Sequence, residues 1–143
     1  MSNLNKELSR RFTDLFSTSD LAGAEEFLSS DVVVHGTSAE GEVRGLDQML
    51  EFVAAYRRAF PDARSSVEDQ VAEGDKVVTR WRARGTHRGD FGEIPATGRA
   101  IDVGGITIER VVDGRIVEVW VVRDWLGFLR QLGVVPEAET AAA

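Results

Sequence analysis

The hydrophobic pattern of the chain changes at Pro61. Before this proline, apolar residues recur every three or four positions, as on one face of an amphipathic helix, whereas after it they alternate with polar residues, as in half-buried strands. Helices followed by a run of antiparallel strands are typical of an α+β domain whose helices pack on one face of the sheet. Because 143 residues suit one core, we expect a single domain over residues 1–143.

The half of the chain before Pro61 predicts three helices. The first carries an apolar stripe formed by Leu4, Leu8, Phe12, Leu15 and Phe16, and the third a stripe formed by Leu46, Met49, Leu50, Val53, Tyr56 and Phe60. A short second helix is expected from Ser19 or Asp20 to near Leu28, since either residue can cap it. Asp31-Val-Val-Val-His35 predicts a short strand, and the Gly- and Ser-rich residues 36–45 predict a loop.

The half after Pro61 predicts two hairpins and a closing helix. The strands are expected at residues 63–72, 76–87, 99–112 and 115–123, with an irregular connection over 88–98. Asp113-Gly114 suits a tight type I′ turn. The helix that begins at Trp125 is expected to stop at Gly133, just before Pro136, and residues 136–143 are predicted to form a flexible tail.

Composition excludes several classes of function. The chain has no cysteine, so disulfides and thiolate chemistry are excluded. A net charge of −7 disfavours nucleic acid as a partner. His35 and His87 are the two histidines, and no metal-binding spacing surrounds them, so we expect no metal. No apolar run long enough to cross a membrane and no secretory signal is present in the sequence, so a cytoplasmic protein is expected.

Several motifs resemble the SnoaL-like branch of the nuclear transport factor 2-like superfamily. They are Val43-Arg-Gly45, Ala59-Phe-Pro-Asp62, Arg80-Trp-Arg-Ala-Arg-Gly-Thr-His87, Ile94-Pro-Ala-Thr-Gly98, Val112-Asp-Gly-Arg-Ile116, Trp120-Val-Val-Arg-Asp124 and Phe128-Leu-Arg-Gln-Leu-Gly133. The resemblance implies a cone-shaped barrel, in which a curled, mostly antiparallel sheet wraps around the N-terminal helices and leaves one central pocket. It further implies a cofactor-free enzyme of aromatic polyketide biosynthesis that closes a ring by an intramolecular aldol reaction.

The resemblance implies that Asp124 is the general acid/base. One carboxyl group can take a proton from an activated carbon and return it to the new alkoxide, and burial among apolar groups would raise its pKa toward the useful range. The family cyclases support this Asp with a His on the preceding strand, but Thr107 occupies that position here. An Asp at a strand-to-helix junction is also a common helix cap, so that alternative stays open.

Strand alternation predicts which side chains share the pocket with Asp124. If Asp124 points inward, so do Val122 and Trp120, whereas Val119, Val121 and Arg123 point outward. The same rule turns Trp81, His87 and Thr107 inward and a row of arginines outward. The predicted substrate-binding residues are His35, Val53, Phe60, Trp81, His87, Thr107, Trp120 and Val122. For His87, a role in anchoring the following loop is the stronger interpretation, and for His35 a position at the cavity mouth is one alternative to a structural role.

Two alternatives to a cyclase follow from the same resemblance. Thr107 cannot exchange a proton near neutral pH as a histidine can, which fits a cofactor-independent hydroxylase of the same family. A non-catalytic module that binds a hydrophobic ligand or dimerises is the second alternative. The expected substrate is a small hydrophobic, polycyclic aromatic compound. Apolar residues predicted on the outer sheet face, namely Ile106, Ile108, Val119 and Val121, lead us to expect a homodimer or a higher homo-oligomer.

Overall fold

The computed structural model describes residues 2–38 and 41–136. The described residues form three helices and six strands, and the predicted α+β class is confirmed. The helices are α1 (Ser2–Asp14), α2 (Leu46–Ala59) and α3 (Trp125–Gln131), with short 3₁₀ turns at Leu15–Ser17 and Ala24–Glu26. The strands are β1 (Leu28–Ser38), β2 (Gly41–Arg44), β3 (Arg64–Glu73), β4 (Lys76–Thr86), β5 (Ala100–Val112) and β6 (Arg115–Arg123).

The six strands form one mixed sheet in the order β2-β1-β6-β5-β4-β3. Every neighbouring pair is antiparallel except β1 and β6, which run parallel. Asp113 and Gly114 have φ values of 51° and 76°, so both central residues of the β5–β6 turn are left-handed and the predicted type I′ turn is confirmed. The curling of the sheet into a cone stays a prediction.

The predicted second helix is absent from residues 19–28, which the structure describes in full. The Asp20 side chain instead accepts a hydrogen bond from the backbone N–H of Ala22 at 3.0 Å, which stabilises a turn. Gly23 then adopts a left-handed φ of 86°, which an α-helix does not permit. Strand β1 begins at Leu28, where the helix was expected to end.

The loop predicted over residues 36–45 is largely strand. β1 continues through Ser38, and β2 pairs back onto it over Gly41–Arg44, while residues 39 and 40 lie outside the described part. Gly36 has a φ of 89°, and a Cβ at this position would overlap the carbonyl oxygen of Val121. The glycine that suggested a loop therefore lets β1 lie close against β6.

The helices pack on one face of the sheet, which we call the inner face. One part of the core surrounds Phe12, Val34 and Val53, and a second, aromatic part surrounds Phe60 and Phe128.

The predicted end of α3 is confirmed by Gly133, which has a φ of 77°. The predicted tail lies outside the described residues from position 137 onward. No helix in the described ranges has both the length and the apolar character needed to cross a membrane.

Candidate functional site

A pocket lies between the three helices and the inner face of the sheet, and we call it the inner pocket. Its cavity is about 50 Å³, and its walls are mostly apolar and aromatic. Its lining residues are Phe12, Thr13, Phe16, Thr37, Met49, Tyr56, Ser65, Trp81, Ala83, Ile101, Val103, Thr107, Val121, Arg123 and Phe128. Because one water molecule needs roughly 10–15 Å³ of such space, a ligand of several rings enters only if wall side chains move.

The face of strand β6 that points toward the pocket is the one that sequence alternation had placed outside. Val119 is fully buried, and Val121 and Arg123 line the pocket, whereas Val122 is 73% exposed. The alternation was anchored on Asp124, which lies one residue beyond the end of β6 and is exposed. The predicted inward positions of Val122 and Trp120, and the predicted outward positions of Val119, Val121 and Arg123, are therefore wrong.

Arg123 on β6 lies beside a close contact between Trp81 of β4 and Gly105 of β5. Trp81 pairs with Gly105, which in turn pairs with Arg123, so the three residues form one row across three strands. A Cβ at Gly105 would overlap the indole of Trp81, so only glycine lets the indole lie across β5. The guanidinium of Arg123 lies 5.7 Å from the ring centre of Trp81 and 4.8 Å from that of Trp125.

Two hydroxyl groups lie in the wall near this row. Trp81 Nε1 donates a hydrogen bond to Thr107 Oγ1 at 2.7 Å, which leaves the hydroxyl hydrogen of Thr107 available to another acceptor. Tyr56 is buried on α2, and burial raises the pKa of its phenol although the nearby charge of Arg123 lowers it in part. The phenol therefore stays protonated near neutral pH and can donate a hydrogen bond into the pocket.

Asp124 lies outside the inner pocket. Its Oδ1 accepts a hydrogen bond from the backbone N–H of Gly127 at 2.8 Å and caps the start of α3. The residue borders a shallow groove on the opposite, outer face of the sheet, together with Ile106 and Val122. Trp81 and Arg123 border both the groove and the inner pocket, so they separate the Asp124 carboxylate from the pocket interior.

Two further residues of the predicted set lie on the outer face. His35 and Trp120 stack with ring centres 5.6 Å apart, because they are paired in the parallel register of β1 and β6. The Nδ1 atom of His35 lies 2.9 Å from Glu42 Oε1, and its Nε2 atom lies 2.8 Å from Glu118 Oε2. His35 thus links β2, β1 and β6 on the side away from the inner pocket.

His87, Phe60 and Val53 are fully buried in the core and are not among the pocket-lining residues. His87 Nδ1 accepts a hydrogen bond from the backbone N–H of Thr97 at 3.2 Å and lies 3.0 Å from its hydroxyl, so the imidazole anchors the loop over 88–98. The ring of His87 stacks on Phe60 with centres 5.1 Å apart, and burial lowers the pKa of the imidazole.

A buried carboxyl group, Glu109, lies between α1 and the sheet on the same face of β5 as Thr107. The residue is 1% exposed, and its Oε1 accepts a hydrogen bond from Ser9 Oγ at 2.7 Å. Ser9 Oγ also lies 2.6 Å from Thr79 Oγ1. Burial raises the pKa of Glu109 to about 7, and the hydrogen bond from Ser9 opposes part of that effect.

The sequence analysis missed Tyr56 as a pocket residue and wrongly placed Arg123 on the outer face. Tyr56 belongs to the predicted apolar stripe and was assigned to the core. The alternation of Val119 and Val121 was a signal for Arg123, since three residues at spacing two share a face. No group of three or more His, Asp or Glu side chains within residues 2–38 and 41–136 is arranged to hold a metal ion.

Relatives of known sequence are cyclases from Streptomyces. The aklanonic acid methyl ester cyclase DnrD of Streptomyces peucetius is 30% identical over 129 residues, which are 89% of this chain and 89% of the relative. The aklanonic acid methyl ester cyclase DauD of Streptomyces sp. strain C5 is also 30% identical, over 89% of this chain and 80% of the relative.

Solved structures show the same nuclear transport factor 2-like fold. AclR from Streptomyces galilaeus, for which a hydroxylase activity is proposed, matches with a TM-score of 0.82 and 29% identity, over 97% of this chain and 87% of AclR. IdmH from Streptomyces antibioticus, a proposed polyketide cyclase, matches with a TM-score of 0.76 and 34% identity, over 90% of this chain and 98% of IdmH. The sequence model of the SnoaL-like polyketide cyclases matches residues 6–132, and the chain belongs to this family.

Proposed function

We propose that this chain closes a carbon ring in a polyketide by an intramolecular aldol reaction in the inner pocket. The observation that supports this most is the pocket itself, which has aromatic walls from Phe16, Tyr56, Trp81 and Phe128 in a chain of this family. Flat apolar walls with a few polar groups suit a conjugated multi-ring substrate. Curated relatives act on aklanonic acid methyl ester, and a compound of that class is the proposed substrate.

The reaction needs a base, hydrogen-bond donors for oxygen and a fixed substrate geometry. A carboxylate takes the proton from a carbon that lies between two carbonyls, and the resulting enolate carbon attacks a third carbonyl carbon of the same molecule. The new alkoxide then takes the proton back from the carboxylic acid, so the product has the mass of the substrate. The hydroxyls of Tyr56 and Thr107 are the proposed donors to the carbonyl oxygens.

Asp124 is the proposed base, as the resemblance implies, and the geometry sets a condition on that role. The carboxylate must release the backbone N–H of Gly127 and reach the substrate past Arg123 and Trp81. A shift of α3, which Asp124 caps, would achieve both.

Asp124→Asn separates proton transfer from capping, because asparagine caps a helix about as well as aspartate but cannot act as the base. With aklanonic acid methyl ester as the assay compound, we expect the wild-type chain to form a product of unchanged mass and Asp124→Asn to lower kcat by roughly 100-fold or more, at an unchanged Tm. Asp102→Asn, an exposed change on β5, is the matched control.

Each outcome of that assay decides something. A wild-type rate in Asp124→Asn would remove Asp124 as the base and leave the cyclase proposal intact. Ligand binding without turnover by the wild-type chain would favour the non-catalytic alternative.

A hydroxylase is the second candidate, and Thr107 together with the match to AclR favours it. The described pocket lining contains no carboxylate or imidazole. Ring closure needs such a group as a base, whereas insertion of oxygen into a substrate that is already acidic depends less on one. A product heavier by one oxygen atom, formed only when dissolved oxygen and an added two-electron reductant are both present and the second oxygen atom leaves as water, would support this candidate. Equal turnover under strict anaerobiosis would exclude it.

A further inference from the structure

The inner pocket contains a cationic side chain that has no anionic partner. Arg123 lines the pocket, and no ion pair within the described ranges includes it. Its Nε atom is buried and makes no hydrogen bond in the described part of the chain. The residue as a whole is only partly buried, but a polar atom of a charged group that is shut off from water is normally paired, so an unpaired one in a pocket wall indicates that a ligand supplies the partner.

The neighbouring carboxylate does not fill this role. Asp124 directs its Oδ1 to the N–H of Gly127 and forms no ion pair with Arg123. The side chains that contact the guanidinium are instead the indoles of Trp81 and Trp125, which attract a cation but do not neutralise it. Burial lowers the pKa of Arg123, yet an arginine stays protonated at neutral pH.

The fold holds the guanidinium in this position before any ligand arrives. Gly105 lets Trp81 lie across β5, and the hydrogen bond from Trp81 to Thr107 fixes the indole there. A second buried polar atom in the pocket wall, Thr37 Oγ1, also lacks a hydrogen-bond partner among the described residues. The pocket therefore combines an unpaired cation, an unused hydroxyl and flat apolar walls.

We propose that the inner pocket binds its ligand as a conjugated oxyanion, a carboxylate or an enolate attached to a flat ring, whose charged oxygen pairs with Arg123. This inference rests on the proposed function and specifies the ionisation state of its substrate, which is the enolate for a methyl ester and the carboxylate for a ligand that is a free acid. Pairing with Arg123 would hold the ring against Trp81 and would favour the enolate over the neutral ketone. A guanidinium can donate two parallel hydrogen bonds to such an oxyanion. The same hydrogen bonds to a neutral carbonyl oxygen are weaker, because that oxygen carries no charge.

Small single-ring probes test the inference, because the cavity is small. The enolate pair is 2-acetylcyclohexane-1,3-dione, which is ionised at neutral pH, and neutral 2-acetylcyclohexanone. The carboxylate pair is benzoate and benzamide. Binding is measured by titration calorimetry and by quenching of tryptophan fluorescence, since Trp81 and Trp125 flank the guanidinium.

In the wild-type chain, at least one anion should bind about tenfold or more tightly than its neutral counterpart. Arg123→Met, which keeps an unbranched apolar stem between the indoles, should reduce that preference to about twofold or less, whereas Arg123→Lys should keep part of it. The control Arg84→Met removes an arginine from the outer face, where it pairs with Asp102, and should leave the preference unchanged.

The inference is overturned if the wild-type chain binds neither anion, if it binds the members of each pair equally, or if Arg123→Met keeps the preference. If Arg123→Met does not fold, Arg123→Lys serves as the test. The inference is then overturned if Arg123→Lys keeps the full preference for the anion and if its affinity for the anion at neutral pH does not change with salt concentration. Whichever anion binds identifies the oxyanion class. Because these probes undergo no ring closure, their binding is independent of whether the chain proves to be a cyclase.

Discussion

Trp81 and Thr107 are joined by a hydrogen bond of 2.7 Å from the indole Nε1 to the hydroxyl oxygen, across β4 and β5 on the inner face of the sheet. Thr107 stands where the resemblance leads one to expect a histidine. The bond shows what the threonine does instead, since it satisfies the indole and fixes the flat wall that faces the pocket.

Thr107→Val should destabilise the chain, because the Trp81 N–H would lose its acceptor in a largely buried place. We expect the free energy of unfolding to fall by about 1–3 kcal/mol, measured by urea denaturation. Thr107→Ser keeps the acceptor oxygen, so its free energy of unfolding should fall clearly less. A loss in Thr107→Ser with none in Thr107→Val would mean that the methyl group, and not the hydrogen bond, stabilises this wall.

Glu109 should make stability depend on pH between about 4.5 and 7. Its pKa is raised in the folded state, so the unfolded chain releases this proton first, and stability is full below about 4.5 and falls as the pH rises to about 7. The loss is of order 3 kcal/mol for a shift of this size. Its hydrogen-bonding neighbours, Ser9 and through it Thr79, carry no charge that would compensate.

Chemical denaturation at a series of pH values measures this effect. Glu109→Gln, which stays neutral, should remove most of the decline between these pH values, and Glu73→Gln on the exposed β3 end should not. The lowered pKa values of Asp62, Asp102 and Glu118 act in the opposite direction at lower pH. The lowered pKa of the His87 imidazole also acts in the opposite direction, at pH values below 6.5, so the contribution of Glu109 is measured as the difference between the wild-type chain and Glu109→Gln. A parallel decline in Glu109→Gln would show that another group causes it.

Gly105→Ala should displace the indole of Trp81, because the added methyl would overlap the ring. We expect a loss of about 1–3 kcal/mol from overpacking and a changed tryptophan fluorescence. Gly104→Ala is the matched control, since its Cβ would meet its nearest neighbour, the Trp81 carbonyl oxygen, at an ordinary 3.6 Å. Similar effects of both changes would point to strand propensity and not to the indole contact.

The outer sheet face should form a symmetric contact between two copies of the chain. Its apolar patch differs from the predicted one, since Val119 and Val121 are internal. It consists of Val78, Ile106, Ile108, Trp120 and Val122, which are neighbours in the strand register. Ile106 is 47% exposed, and leaving such a patch in water is unfavourable.

Light scattering at micromolar concentration should give twice the chain mass, and Ile106→Glu should give the monomer mass. Val71→Glu, at an exposed position of the edge strand β3, should leave the mass unchanged. A monomeric wild-type chain would contradict the expectation.

Much of the fold could be predicted because local chemistry decides it. The Asp113-Gly114 turn sets the register of β5 against β6. Alternation along β4 correctly placed Trp81 inside and the row of arginines, Arg80, Arg82 and Arg84, outside. The local pattern gave a wrong prediction at Gly36, because glycine occurs both in loops and where two strands approach closely. Gly36 indicated a loop, yet it allows β1 to approach β6 closely.

The candidate site was predictable only in part. Alternation along a strand shows that neighbouring residues point to opposite faces of the sheet, but it does not show which face is the inner one. On β4 the arginines decided the question, whereas on β6 the choice rested on Asp124, which lies beyond the strand. An extra residue, Val117, also shifts the alternation, since Arg110 pairs with Glu118 while Val111 pairs with Ile116.

The sequence by itself determined the two hairpins, the α+β class, the last helix and the family, and it left open whether Asp124 caps that helix. Only the tertiary structure decided that Arg123 enters the pocket, that Asp124 stays on the other side of the sheet and that His35 and Trp120 stack outside. These three outcomes depend on how β1, β5 and β6 pair and on which face the helices cover. Contacts between residues far apart in the chain settle both, and no local pattern encodes them.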